Sequence, residues 1–306
     1  MKVHKAVITA AGRGTRQYPA TNVVQKELLP IVDLDGLTRP ALQIIVAEAL
    51  ASGVEEIGIV VGPASAEAIR QHFQPISPSE RELYAGKSWA LCEADRLAEM
   101  AAAITFISQP SQEGFGHAVY CAREFVGDQP FLLMLGDHLY LSDTDKPCAR
   151  QLLDVFERHG CSVSAVAVTP EHLLHLFGTA RGRPLEPGVY EVEKFVEKPS
   201  AAQAEAELET PGLPVGHYLC FFGMHVFTPG IFEALDHLVR HDVREHGEIQ
   251  LTTAQELLRR KERCLACTVE GSRHDIGTPE GYLSTLVAFG LRGPYRAAIE
   301  AAAGHR

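Results

Sequence analysis

The apolar run Lys5-Ala-Val-Ile-Thr9 passes directly into Ala10-Ala-Gly-Arg-Gly-Thr-Arg16, and few folds are open to a chain that starts this way. A strand feeding a glycine-rich turn lets backbone N–H groups approach anionic oxygens with no Cβ in the way. Arg13 and Arg16 add charge and forked donors suited to phosphate. If Lys26, in Gln25-Lys-Glu-Leu-Leu-Pro30, reaches the same loop, the site suits a nucleoside triphosphate better than a neutral ligand. Two familiar phosphate loops are excluded. The dinucleotide fingerprint needs a third glycine where Gln17 stands, and no Gly-x4-Gly-Lys-Ser/Thr stretch occurs. A tight strand-to-helix turn with solvated arginines is the alternative on this segment alone.

Strand-like and helix-like segments alternate along the remainder, which predicts an α/β fold with a Rossmann-like mixed, mostly parallel sheet flanked by helices. Strands are expected over 54–61, 104–108, 131–135, 163–168, 189–196 and 216–228, and a half-buried one over 262–270. Helices are expected over 40–52, 64–73, 116–124, 149–159, 201–208, 229–240 and 248–261, with another starting near Pro279. The alanine-rich, charged stretch 77–103 reads as a helical insertion, and 182–188, rich in Pro, Gly and charge, as a surface loop. No internal repeat or long linker divides the chain. One domain over 1–306 is expected, with 1–168 mainly the nucleotide-binding half and 169–290 mainly the sugar-phosphate half, which forms a sugar-binding lobe.

Net charge is -11, which disfavours nucleic acid and anionic membrane surfaces as partners, so that any clustered cations gain meaning. No apolar run approaches the ~20 residues of a membrane helix. With the N-terminus going straight into a strand-like segment, a cytoplasmic location is expected. Cys264 and Cys267 form a Cys-x-x-Cys without a second pair at zinc-site spacing, so the seven cysteines read as reduced packing residues.

Three further segments carry chemistry. Asp137 ends the apolar run Phe131-Leu-Leu-Met-Leu-Gly136, where ligands of open parallel sheets gather, and Asp275 lies in His274-Asp-Ile-Gly-Thr278. Two carboxylates with a substrate phosphate would satisfy Mg²⁺, while capping of a turn and of the Pro279 helix is the structural alternative. His138 and His274 adjoin these aspartates. In extended chain, neighbours point to opposite faces, so neither histidine is expected to converge with its aspartate. Gln109, in Gln109-Pro-Ser-Gln-Glu-Gly114, offers a donor and an acceptor that match the imide edge of uracil or thymine, with Gly114 completing the pair; an ordinary turn is the alternative. Phe195-Val-Glu-Lys-Pro199 sets a carboxylate for sugar hydroxyls beside an ammonium for a sugar phosphate, or else a mere surface pair.

Gly-x-Gly-Thr-Arg, Lys-Glu-Leu-Leu-Pro, Gln-Pro-x3-Gly, Leu-Gly-Asp, Glu-Lys-Pro and Asp-Ile-Gly occur in this order over nearly the whole chain. In that order the chain resembles the sugar-1-phosphate nucleotidylyltransferases. It is most similar to their bacterial UTP–glucose-1-phosphate uridylyltransferase branch, through Pro19-Ala-Thr21, Gly114-Phe-Gly-His-Ala-Val119, Val126-Gly-Asp128 and Gly247-Glu-Ile-Gln-Leu-Thr252. The resemblance implies a Mg²⁺-dependent synthesis of UDP-glucose and pyrophosphate from UTP and glucose-1-phosphate, and a homodimer or homotetramer. It implies Ala10, Ala11 and Gly12 against the nucleoside, the backbone from Gly12 through Gly14 to Thr15 around the phosphates, and Arg16 and Lys26 on the triphosphate. Gln109 and Gly114 would read the pyrimidine, Gly178 and Glu197 the hexose, and Lys198 its phosphate, with the metal on Asp137 and Asp275. Typical uridylyl members carry Lys where Asn22 stands, Pro where Gln25 stands and Arg where His217 stands, and often Lys after the Asp-x-Gly, where this chain has Thr278-Pro279. Leu135-Gly-Asp-His-Leu-Tyr140 and Thr278-Pro-Glu280 lean towards thymidylyl-type relatives. A dTTP-dependent enzyme, another sugar-1-phosphate, or a non-catalytic nucleotide-sugar sensor are the competing readings.

Overall fold

A computed structural model describes residues 1–63 and 65–304. These residues form a nine-stranded sheet whose order across the molecule differs sharply from chain order. From one edge to the other it runs Ile104–Ser108, Glu56–Val61, Lys5–Ala10, Phe131–Leu135, His217–Phe227, Val163–Pro170, Leu265–Thr268, Val189–Val196 and Thr179–Glu186. The first four strands are mutually parallel. Beyond them the long strand His217–Phe227 runs antiparallel to both of its neighbours, and Leu265–Thr268 returns parallel to Val163–Pro170. The fold is thus Rossmann-like α/β, a mixed sheet with flanking helices.

Burial on both faces explains the apolar runs. Ala6 and Ile8 join Leu132 and Met134 in one core, while Val7 joins Leu133 and Val60 in the other, as the two-residue period of a strand requires. Helices Ala41–Ala51 and Cys148–His159 cover the first core, and Phe115–Cys121 and Ile231–Arg240 the second.

This strand order positions the site. From Lys5–Ala10 the chain moves outward through Glu56–Val61 to Ile104–Ser108, then crosses back to place Phe131–Leu135 on the other side of the first strand. Such a reversal opens a crevice at the carboxyl ends of the two central strands. There Thr9 pairs with Leu135, and the Gly136 N–H donates to the Thr9 carbonyl at 2.9 Å. A separate hairpin-like pair, His138–Ser142 with Gly271–Asp275, sets Asp275 directly opposite His138.

The insertion consists of helices Pro78–Leu83 and Ser88–Ala103, the first closed by a capping box between Ser77 and Glu80. The second is tied to the body through buried Arg39, whose guanidinium takes Asp33, Asp35 and Glu93 together. Three expectations need correction. The stretch 182–188 is not a loop: it lies largely in Thr179–Glu186, the sheet's last strand, where an edge position tolerates Pro184. The helix expected over 248–261 starts only at Leu251, because Gln250 is extended and Ile249 bonds by its backbone to Glu113 and Gly116. The helix over 116–124 breaks at Ala122 into Phe115–Cys121 and Arg123–Val126. Ala64, with which another expected helix begins, lies outside the described residues. All seven cysteines are free, and burial pushes the Cys264 and Cys267 thiols up to about 12, so they pack as protonated groups. Among the described residues no helix is long and apolar enough to cross a membrane.

Candidate active site

The glycine turn leaves the first strand at the floor of a cleft of about 910 Å³. Gly14 sits at φ +62, where a Cβ would come 2.8 Å from the Thr21 methyl. The turn is pinned from outside by its carbonyls: Gln112 donates to Ala11, Gln25 to Gly12 at 3.0 Å and Thr21 to Gly14 at 3.0 Å. Among the described residues none accepts from the N–H groups of Gly12, Arg13, Gly14 or Thr15, all of which line the cleft. Free backbone N–H groups grouped in this way have the donor chemistry for an anion. Gln25, a departure from the family pattern, thereby has a defined task in holding the loop. Arg13 reaches the Gln112 amide oxygen and lies towards the outside.

Lys26 does reach this loop. Its ammonium lies 2.5 Å from Asp137 Oδ2 and 3.7 Å from Glu27 Oε1, and a Cβ on Gly12 would come within 3.3 Å of it. Burial would lower the Lys26 pKa, but the Asp137 and Glu27 charges outweigh it and raise the value. For Asp137, burial works upward, and the attraction of Lys26 wins and holds the carboxyl below its ordinary range. Glu27 is enclosed more fully than either, and burial pushes its carboxyl up to about 7 against the pull of Lys26.

Asp137 occupies the turn after Phe131–Leu135, and Asp275 ends the strand Gly271–Asp275. Asp275 does not cap the following helix: its Oδ1 accepts from the Gly277 N–H at 2.7 Å, while Thr278 caps the helix through Gly281. Gly277 shows how closely the groups crowd, since a Cβ there would lie 2.8 Å from both Arg16 Nη2 and Asp275 Oδ1 and 3.0 Å from Asp137 Oδ2. Burial favours a neutral Asp275, but the hydrogen bond and charge of His138, the Gly277 N–H and Arg16 bring its pKa well below the usual carboxylate range.

His138 contradicts the sequence expectation. One ligand atom each from Asp137, His138 and Asp275 lie within 4.8 Å of one another, and His138 Nε2 is 3.8 Å from Asp275 Oδ1. Alternation does not apply because Gly136 and Asp137 form a turn, which resets the facing of the two side chains. His274 stays outside the cluster, bonded to Ser272 and edge-on to Phe289. Two ionised carboxylates and an imidazole at this spacing have the donor chemistry for a divalent cation.

The other walls come from distant parts of the chain. Gln109 is buried, and its amide donates to the Gly114 carbonyl at 3.3 Å and contacts His117 at 3.1 Å. Gly114 and Gly116 lie flat against the 248–250 backbone, where a Cβ would come within 2.7 and 2.8 Å of the Ile249 carbonyl. Glu197 accepts a 2.5 Å hydrogen bond from Thr252, and the Lys198 ammonium lies 3.5 Å from it. Lys198 has φ +43, a conformation that non-glycine residues rarely adopt and that clusters at functional sites. Gly178 faces the Phe221 ring, which a Cβ would meet at 2.6 Å.

The structure therefore gathers Ala11, Gly12, Gly14, Thr15, Arg16, Lys26, Gln109, Gly114, Asp137, Gly178, Glu197, Lys198 and Asp275 around one cleft. Ala10 is the exception: it is the last residue of its strand, fully buried under Gly136, and its side chain cannot meet a ligand. Sequence reasoning missed Arg273, Thr252, His225 and Gln255, which also line the cleft. Thr252 lies in a segment already quoted for resemblance; the others gave no local signal.

The nucleotidyl transferase family profile matches residues 5–289. The chain is 39% identical over 291 residues to the UTP–glucose-1-phosphate uridylyltransferase of Bacillus subtilis strain 168, covering 95% of this chain and 92% of that one. Among solved structures it is similar to a UTP-bound UGPase from Acinetobacter baumannii, with a TM-score of 0.81, 26% identity, and coverage of 99% of this chain and 100% of the other. It is also similar to a UDP-glucose pyrophosphorylase complexed with UDP-glucose, with a TM-score of 0.76, 28% identity, and coverage of 94% and 98%.

Proposed function

We propose that this chain, which belongs to the nucleotidyl transferase family, makes UDP-glucose and pyrophosphate from UTP and glucose-1-phosphate. The observation that carries the reading is the convergence of Arg16, Lys26, Asp137 and Asp275 at the mouth of an amide-lined loop, in the same cleft as Glu197 and Lys198. Likeness to curated uridylyltransferases over most of both chains supports the choice of substrates.

An oxygen of the sugar phosphate attacks the α-phosphorus in line, and the bond from that phosphorus to the bridging oxygen of the β-phosphate breaks. The electron pair leaves with pyrophosphate. No protein nucleophile is required, because the attacking phosphate is already ionised; the protein supplies alignment and charge. Two unit charges ~4 Å apart repel by ~4 kcal/mol at an effective dielectric of ~20, so bringing two polyanions together is the main obstacle. The Gly12–Thr15 amides and Arg16 take the leaving pyrophosphate, Lys26 lies between the loop and Asp137, and Lys198 offsets charge on the attacking phosphate. Glu197, oriented by Thr252, accepts from hexose hydroxyls, and Gln109 with Gly114 meets the pyrimidine edge. Asp137 and Asp275 are the residues that would hold Mg²⁺, whose role when bound is to neutralise phosphate charge.

Pyrophosphate release with Mg²⁺ tests this, crossing UTP and dTTP against glucose-1-phosphate, galactose-1-phosphate and N-acetylglucosamine-1-phosphate. UTP with glucose-1-phosphate is expected to be the best pair. Preference for dTTP or another sugar would retain the reaction class and replace the specificity. Silence on every pair, from folded protein that binds a nucleotide sugar, would replace the enzyme with a sensor.

A further inference from the structure

Arg273 lies two residues before Asp275 on the same strand, so both side chains face the cleft while His274 faces away. Its Nη1 donates to the Phe221 carbonyl at 2.6 Å, and its guanidinium stacks on Phe177, 4.1 Å from the ring centroid. These contacts fix the plane of the fork and leave its other donors without a protein partner among the described residues. Arg39 in the same molecule shows what a structural buried arginine looks like: three carboxylates surround it. Arg273 makes no ion pair among the described residues: the Asp275 charge reaches it only through space, although it is largely enclosed by the cleft walls. A desolvated cation in that position is costly unless an anion completes it.

The location selects the anion. Phe177 precedes Gly178, and Phe221 bonds by its N–H to the Gly178 carbonyl at 2.9 Å, so Arg273 rests on the Gly178 wall of the cleft. The cations on the turn side, Arg16 and Lys26, are grouped with Asp137 and Asp275. A sugar phosphate that attacks at those aspartates with its hexose against Gly178 enters the part of the cleft that Arg273 lines. Resting on the reaction proposed above, we infer that Arg273 binds the phosphate of the sugar-1-phosphate and shares that anion with Lys198.

The test compares wild-type protein with Arg273→Lys and Arg273→Met in steady-state pyrophosphate release, varying each substrate. It is paired with calorimetric binding of glucose-1-phosphate and inhibition by inorganic phosphate. Arg273→Met should raise KM for glucose-1-phosphate by about 10- to 100-fold, the size of one charge-assisted contact, with KM for UTP within about 2-fold. Arg273→Lys should fall between, keeping charge but losing the fork. Inhibition by inorganic phosphate should weaken in parallel. An unchanged glucose-1-phosphate KM, an effect on UTP alone, or unchanged phosphate inhibition would overturn the assignment. So would loss of thermal stability with normal kinetics in the folded fraction, which would make Arg273 a strut for Phe221. A wild-type protein that binds glucose-1-phosphate without turnover, and loses that binding in Arg273→Met, would overturn the proposed reaction and uphold Arg273. Absence of wild-type binding and turnover would overturn both.

Discussion

Replacing Gly223 with alanine would put a methyl group where His138 already is. Gly223 lies in the strand His217–Phe227 at φ +91, beside the irregularity in its pairing with Val163–Pro170. A Cβ there would come 2.2 Å from His138 Nδ1 and 3.2 Å from Tyr140 Oη, and the Tyr140 hydroxyl is itself bonded to the Gly223 carbonyl at 2.9 Å. The positive φ costs an alanine about 1–2 kcal/mol. Overpacking adds about 1–3 kcal/mol, giving about 2–5 kcal/mol in all. At about 2 °C per kcal/mol for a chain of this size, melting should fall by about 4–10 °C. Activity should fall too, because an imidazole displaced from Gly223 no longer faces Asp275; a lost hydrogen bond to a charged group corresponds to about 10- to 100-fold in turnover. The assays are thermal unfolding and pyrophosphate release, on Gly223→Ala, His138→Ala and the double variant. With the ring removed, the overpacking part vanishes, so the double variant should be more stable than the summed single effects by about 1–3 kcal/mol. A neutral Gly223→Ala, or costs that simply add, would refute the argument.

Arg16→Ala and Asp137→Asn should each lower turnover by about two to three orders of magnitude, as for loss of one transition-state contact; wild-type turnover in folded variants removes them from the mechanism. Lys198→Ala should chiefly raise KM for the sugar phosphate, and a change confined to UTP dependence would contradict its role. His225 is buried against Phe227 and bonds to Ser164, and burial drops its pKa from 6.5 to about 3. The unfolded chain then binds a proton that the folded one excludes between those values, so its contribution is present above pH ~6.5 and is lost as pH falls towards ~3. Thermal melts of His225→Gln should decline less than wild type between pH 7 and about 4.5, and identical slopes would contradict a neutral buried imidazole.

Local chemistry made much of this site legible before any coordinates. Asp137 could be found because a carboxylate ending a fully apolar run can hardly lie anywhere but at a strand terminus, and the glycine turn because its backbone demands are local. His138 was misjudged by a rule valid for continuous strand, which two turn residues suspend. A motif does not say which of its members is the last covered by the core, which here is Ala10. Pro184 looked like a loop residue because edge position is a property of the sheet and not of the segment. Arg273 gave no signal at all: its meaning comes from Phe177 and Phe221, which only tertiary folding brings to it. Gln255 is silent in the sequence for the same reason, and Thr252 stands out only as part of the Gly247–Thr252 segment.

The segment 248–252 has a mechanical consequence. At Ile249 its backbone is clasped to Glu113 and Gly116, with Gly114 pressed against it, and at Thr252 its hydroxyl holds Glu197. The Gly114 segment and Glu197 are therefore linked by a stretch only a few residues long, ended by the start of a helix. A substitution that displaces Ile249 should therefore disturb Gly114 and Glu197 together.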